Sequence, residues 1–218
     1  MKKTFSPGTI FSHALDDSNG FFYGKILLDI KDLLDRKLIS SKQQLSFFSD
    51  CLLVAGFDQF NKTEQNSLKS KEYVFKGEFF DREAIEEGTW KKVDVGKVKV
   101  EELDFPEYLL NIEGKIHLVK GEIEIPIPIA TAEADALNCR PTILSGLIFS
   151  DLIAKYTGKE ELIPEFWRDK TSLMNADLRF HDKAVRKKIF DLAGLDANAS
   201  YPELCKAHKI DCGRLLEK

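Results

Sequence analysis

Two turn signals near the start of the chain constrain its fold more than any other feature. Pro7-Gly8 introduces a short apolar segment, and Ser18-Asn19-Gly20 precedes a longer one that begins at Phe21. Asn-Gly is a typical two-residue connection of a β-hairpin, because both residues tolerate the positive φ angles of the turn. The chain is therefore predicted to begin with a hairpin of residues 9–15 and 21–30.

Further strands are predicted up to residue 129. Continuous apolarity over 45–60 indicates a buried strand with a bend at Gly56, although a helix is an alternative for 42–49. Residues 61–70 are polar and are expected to form a loop. Segments 73–75, 90–100, 115–119 and 122–129 also read as strands. Pro126 and Pro128 cannot donate ladder hydrogen bonds, so 122–129 is expected at a sheet edge. Helical turns are predicted at 32–37 and 81–87, and a short helix at 101–111.

From residue 131 the pattern changes to that of helices. Apolar residues recur at three-to-four spacing, and Pro141, Gly158 and Gly194 supply start and stop signals. Helices are predicted at 130–136, 142–156, 160–167, 177–193 and 201–208. The sequence thus predicts an α+β fold. A twisted, partly closed antiparallel sheet forms a β-rich domain of residues 1–129, and a helical region of 130–218 packs on or beside it.

Composition and charge exclude several classes of protein. The 218 residues carry a net charge of −4, which opposes nucleic-acid binding because such proteins normally present a basic stripe. The basic run of Lys183, Arg186, Lys187 and Lys188 is the one feature that favours that alternative. Met1-Lys2-Lys3 is not followed by the apolar stretch of a signal peptide, and no apolar run is long enough for a membrane span. A cytoplasmic protein with reduced cysteines is predicted.

No catalytic motif occurs, and neither a cofactor nor a metal is predicted. Cys205, His208 and Cys212 have a spacing that zinc could use, with Cys139 or His181 as a fourth ligand. A small helix with a buried cysteine and an exposed histidine explains the same residues. Cys139 precedes a predicted helix and is the candidate for a reactive thiol. The main alternative to partner binding is therefore an enzyme or small-molecule site between sheet and helices that uses Cys139, His181 or His117.

The segment 81–107 is locally acidic and is the candidate partner-binding surface. Glu83, Glu86 and Glu87 would meet a basic protein partner, since complementary charge sets specificity and association rate. Tyr73 and Trp90 are candidate aromatic contacts. A solvated helix face is the alternative for the carboxylates, and a core position is the alternative for Trp90.

Three short motifs together resemble the immunity protein 26 family. They are Gly8, Ile10 and Phe11 at the first strand, then Tyr23, Gly24 and Ile26, and finally Gly88, Trp90 and Val93. The resemblance covers residues 5–100 and does not extend to the helical region. It implies a small, cytoplasmic, non-enzymatic bacterial protein. Such a protein protects its producer by blocking the active site or substrate groove of a toxin domain.

Overall fold

The structure is a computed structural model that describes residues 5–15, 20–65, 68, 72–168 and 175–217, apart from the side chains of residues 166 and 167. It contains two antiparallel sheets, neither closed into a barrel, and its helices lie mostly toward the C-terminus. The predicted α+β class is confirmed. Ser18 and Asn19 of the predicted turn, the Met1-Lys2-Lys3 start and part of the predicted 61–70 loop lie outside the described residues.

The first sheet has five strands in the order β4-β3-β2-β1-β5. The predicted hairpin forms its centre, with Ile10 opposite Lys25 in antiparallel register. β5 pairs with β1 and ends before Gly96, so the predicted strand 90–100 is shorter than expected. The five strands are β1 (Thr9–Ala14), β2 (Phe21–Asp29), β3 (Leu52–Asn61), β4 (Tyr73–Phe80) and β5 (Trp90–Val95).

The second sheet consists of β6 (Glu107–Ile112), β7 (Lys115–Lys120) and β8 (Ile123–Ile127). β8 lies at an edge as predicted, with Ile123 and Ile127 buried and Pro126 exposed. β6 shows that the predicted helix 101–111 is wrong. Pro106 disfavours helical backbone at Phe105, and the following residues pair with β7 instead.

The helices are short, and tertiary pairing moves several predicted boundaries. The apolar stretch 45–60 is not one strand, because Gln44–Phe48 forms a 3₁₀ turn before β3. The helix predicted from 142 begins only at Phe149, since Leu144 exchanges backbone hydrogen bonds with Phe79 and Asp81 at 2.8 and 3.0 Å. Asp182 caps the helix predicted from 177. The α-helices are α1 (Ile30–Asp35), α2 (Glu83–Glu86), α3 (Thr131–Leu137), α4 (Phe149–Tyr156), α5 (Glu165–Arg168), α6 (Lys183–Leu192) and α7 (Tyr201–Ala207).

Two hydrophobic clusters join the sheets to the helical region. In one, Phe79 stacks on Phe48 with ring centroids 3.7 Å apart, and Phe190 belongs to the same cluster. In the other, Phe11 stacks on Trp90 at 3.9 Å and packs against Phe149 of α4. Residues from both sides of position 130 therefore share each cluster. The division into domains 1–129 and 130–218 stays a prediction.

A network of buried charges crosses the same boundary. The guanidinium of Arg179 contacts Glu78 of β4, Asp104 at 3.1 Å and Asp177 at 2.6 Å. Lys120 extends the network, because its Nζ lies 2.7 Å from Asp104 and 2.8 Å from Glu107. Arg186 of α6 completes it with a 2.6 Å contact to Glu107. The network joins both sheets to the helical region.

Gly77 permits this network by letting two backbones approach. Its φ is +68°, and a Cβ at this position would lie 1.8 Å from the carbonyl oxygen of Asp104. Substitution Gly77→Ala is expected to lower the free energy of unfolding by about 3 kcal/mol, through steric clash and left-handed backbone strain. Urea denaturation measures the change.

Gly114→Ala is the matched control for that substitution. Gly114 also has a positive φ, +82°, but nothing lies within 4 Å of the position that a Cβ would occupy there. Backbone strain alone should cost about 1 kcal/mol at this residue. Equal losses in the two variants would show that the approach of Gly77 to Asp104 does not matter for stability.

His13 of β1 and Ser150 of α4 form a second buried polar connection. The His13 Nδ1 lies 2.9 Å from the Ser150 Oγ and also accepts from the Ser150 amide at 3.3 Å. Burial lowers the pKa of His13 from 6.5 to about 4. The unfolded chain therefore takes up a proton between these pH values that the folded chain does not, and stability falls as the pH falls through this window.

His13→Asn should remove this part of the acid sensitivity, because the Asn carbonyl can still accept a hydrogen bond but does not titrate. Between pH 7 and pH 4 the variant should lose about 3 kcal/mol less free energy of unfolding than the unsubstituted chain. Denaturant unfolding at the two pH values provides the measurement. The exposed His208 gives the control His208→Asn, which should retain the full acid sensitivity. If the two variants behave alike, His13 is not the responsible group.

Candidate partner-binding surface

The predicted acidic residues lie on one short turn at the end of β4. α2 carries Glu83 and Glu86, and Glu87 follows it directly. All three side chains are exposed. We call these three residues the acidic turn. Within the described part of the chain, neither Glu86 nor Glu87 forms an ion pair, so both carboxylates face solvent uncompensated.

A segment from the helical region holds the acidic turn in place. The Gly146 amide donates to Asp81 Oδ1 at 2.9 Å, and the Ser145 hydroxyl donates to Glu83 Oε2 at 3.1 Å. Gly146 packs so closely that a Cβ there would lie 2.8 Å from the Cβ of Ala84. The orientation of the acidic turn is therefore set by residues about 60 positions later in the chain, a separation that local sequence patterns do not report.

Trp90 supports the acidic turn from below. It is 2% exposed, stacks on Phe11 and donates from Nε1 to the Gly146 carbonyl at 3.0 Å. This is the core position that the sequence left open as the alternative to an exposed aromatic contact. In this position the ring orients residues 145–146 and has almost no surface to offer a partner.

Tyr73 lies apart from the acidic turn. It begins β4, whereas the turn follows the end of that strand, a distance of about 23 Å for a strand of this length. Its hydroxyl donates to Glu102 Oε1, and Glu102 also accepts from Lys25 Nζ at 2.8 Å. Burial and the hydrogen bond to Glu102 raise the pKa of Tyr73. The structure therefore does not bring Tyr73 and the glutamates onto one patch.

Two exposed apolar side chains flank the acidic turn. Phe47 is 62% exposed and precedes Asp50, whose carbonyl accepts from Arg82 Nε at 3.2 Å. Ile143 is 41% exposed and lies two residues before Ser145. Sequence patterns missed both, since each belongs to a segment that reads as a continuous apolar element. Their exposure follows from the 3₁₀ turn at 44–48 and from the extended backbone at 144.

The comparison with known protein families places this surface in context. Residues 6–113 match the family model of immunity protein 26. The chain resembles that family as its motifs predicted. The matched region includes the complete first sheet, the acidic turn and β6. No curated protein and no solved structure shows a significant match to the chain.

The immunity protein 26 family suggests a protein without catalytic activity, and the side chains proposed for an enzymatic site fit that expectation. Cys139 Sγ lies 3.4 Å from His181 Nε2, but the same nitrogen lies 2.6 Å from the Asn175 carbonyl. A carbonyl only accepts, so this nitrogen carries a proton and cannot act as a base toward the thiol. Burial, with Asp177 and Glu107, raises the pKa of Cys139 to about 12. The predicted electropositive setting of Cys139 is therefore wrong.

The remaining candidate ligands are also dispersed. His117 lies 3.2 Å from Glu124 on the second sheet. Cys205 and Cys212 are buried, whereas His208 is exposed. The described residues contain no group of three or more His, Cys, Asp or Glu side chains that could hold a metal ion. They also contain no helix that is long and apolar enough to cross a membrane.

The buried thiols should be unreactive in the folded chain. Burial raises the pKa values of Cys51, Cys139 and Cys205 to about 12, so at pH 8 only about one thiol in ten thousand is ionised. Alkylation of these three residues by iodoacetamide should be at least about a hundredfold slower in native buffer than in urea. Peptide mapping by mass spectrometry gives the rates. Fast native labelling of Cys139 would restore it as a candidate nucleophile.

Proposed function

We propose that this chain is a non-catalytic immunity protein that neutralises a cognate bacterial toxin by binding it and covering its active site. The match of residues 6–113 to the immunity protein 26 family is the observation that carries the proposal. Inhibition by occlusion needs a complementary surface and no reacting group. The inactive environments of Cys139 and His181 are compatible with that requirement.

The acidic turn is the proposed contact surface. It lies inside the family-matched region, and hydrogen bonds from Ser145 and Gly146 hold it in one orientation before any partner binds. A preorganised surface loses less conformational entropy on association than a flexible one. Its uncompensated carboxylates fit a basic partner surface, such as the substrate groove of a toxin that acts on nucleic acid.

Charge and apolar contact have separate roles in this proposal. The carboxylates attract a basic toxin over distance and raise the association rate. Phe47 and Ile143 lie on either side of the acidic turn and would be buried in the complex. Buried apolar side chains mainly slow dissociation, because their removal from water is reversed when the complex separates. We place the encounter in the bacterial cytoplasm, where four buried free thiols would stay reduced.

Charge reversal on the acidic turn tests the proposal. The double variant Glu86→Lys, Glu87→Lys alters two exposed side chains that hold no part of the fold together. The toxin domain is first recovered by affinity capture from native lysate, and its association rate is then measured by surface plasmon resonance. The double variant should associate about tenfold more slowly at low salt and should protect cells less well in a co-expression growth assay.

Glu160→Lys, Glu161→Lys is the matched control. It makes the same change in net charge at two exposed glutamates outside the family-matched region. Its association rate should change less than about twofold. Equal slowing in both double variants would indicate a net-charge effect and would reject the acidic turn as the contact surface. Full growth protection without any physical association would reject the occlusion mechanism.

A further inference from the structure

A cleft of about 1100 Å³ opens at one end of the first sheet. One wall is formed by the end of β2 and by α1, and the other by the segment that follows β5. The last residues of the chain close one end, where Arg36 donates to the Glu217 carbonyl at 2.7 Å. The cleft is distinct from the acidic turn, and none of Cys139, His181 and His117 lines it.

The cleft occupies the place where β1 would continue if it were longer. β1 begins at Thr9, because the chain enters it through a tight turn in which the Thr9 amide donates to the Ser6 carbonyl at 2.9 Å. Gly8 has a φ of +93° in this turn. On one side β2 runs on to Asp29, and on the other side the chain continues past Val95. The two flanking segments are therefore about two strand spacings apart, roughly 10 Å, with the middle strand missing.

The segment 96–99 has the form of a strand that lacks a partner on the cleft side. The Lys97 carbonyl accepts from Lys25 Nζ at 3.0 Å, and the Lys99 amide donates to Glu102 Oε2 at 2.8 Å. Both groups thus face away from β1. Backbone groups alternate in direction along an extended chain, and the Gly96 amide donates to the Gly8 carbonyl at 2.8 Å, toward β1.

By the same alternation, the amide and carbonyl of Val98 point into the cleft. Neither group has a hydrogen-bond partner among the described residues. A backbone edge of this kind is a template for another extended chain. The side chains alternate in the same way, since Val98 and Val100 pack against the core while Lys97 and Lys99 are exposed.

The chemistry of the walls specifies the kind of chain that would fit. Lys97 and Lys99 form no ion pair within the described part of the chain, whereas Asp32 and Arg36 on the facing wall pair with each other at 3.0 Å. The free charge beside the pairing edge is therefore mainly positive. The apolar side chains that line the cleft are Pro7, Leu28, Leu33, Val95, Val98, Val100, Leu215 and Leu216.

We propose that this cleft is a strand-acceptor groove for an extended segment of a partner protein. The segment pairs its backbone with Val98 and so fills the place of the missing strand. Its apolar side chains alternate with acidic ones, the former packing against Leu33 and Leu216 and the latter facing Lys97 and Lys99. Backbone pairing gives the affinity, and the alternate side chains give the specificity. This inference is independent of the proposed toxin contact, which uses another surface.

A labelled peptide tests the groove directly. A fluorescein-labelled peptide of about six alternating valine and aspartate residues is titrated with the full chain, and fluorescence anisotropy is recorded. Saturable binding is expected. The same peptide with N-methylated backbone amides should bind about tenfold more weakly, because it cannot donate to Val98. A peptide with lysine in place of aspartate should also bind more weakly.

A pair of proline variants locates the binding edge. Val98→Pro removes the amide that points into the cleft and should weaken peptide binding about tenfold. Lys97→Pro removes an amide on the opposite side and is the matched control, with unchanged affinity expected. Circular dichroism and thermal unfolding establish that both variants fold. Hydrogen exchange on the unsubstituted chain gives a second readout, in which the Val98 amide exchanges freely and is slowed when the peptide is added.

Three results would overturn the proposal. The first is no anisotropy change up to about 1 mM peptide. The second is equal affinity for the methylated and unmethylated peptides, which would indicate apolar adsorption. The third is protection of the Val98 amide in the free chain, which would mean that the edge is already paired. None of these results bears on the toxin contact, because no toxin is present in the experiment.

Discussion

The buried guanidinium of Arg179 is the interaction on which the rest of the structure depends. It is enclosed by Glu78, Asp104 and Asp177, and it also donates to the backbone carbonyls of residues 76 and 77. A buried cation is tolerated only when it is paired and fully hydrogen-bonded. These acceptors come from the first sheet, the connection to the second sheet and the helical region. Arg179 therefore requires all three parts to take up their positions together.

The carboxylates around Arg179 differ in their protonation. Burial acts to raise the pKa of Glu107, but its hydrogen bonds with Arg186 and the charge of Lys120 hold it below its usual range. Glu78 behaves in the opposite way, since burial raises its pKa well above the usual range despite the nearby Arg179. Four carboxylates share three cations, and Glu78 is the one that takes up a proton most readily. The network approaches neutrality in this way, which burial of so many charges demands.

The helical region shapes both proposed surfaces although it lies outside the family-matched residues. Residues 144–146 position the acidic turn, and Leu215, Leu216 and Glu217 close one end of the cleft. Both arrangements depend on long-range contacts. The sequence predicted the hairpin, the edge position of β8 and the family, because each depends on a short local pattern. It did not predict that Pro106 leads into a strand, or that Leu144 pairs with β4, because those outcomes depend on partners far along the chain.

Local residue chemistry by itself determined the α+β class, the turns at the start of the chain, the acidic segment at 81–87 and the absence of recognisable catalytic motifs. Those features follow from backbone preferences and alternation, which act over a few residues. Only the tertiary structure decided that Trp90 is a buried support, that Phe47 and Ile143 are exposed, and that Val98 faces an unfilled cleft. Each of those outcomes is set by packing and hydrogen bonds between segments that lie tens of residues apart, where the sequence carries no local signal.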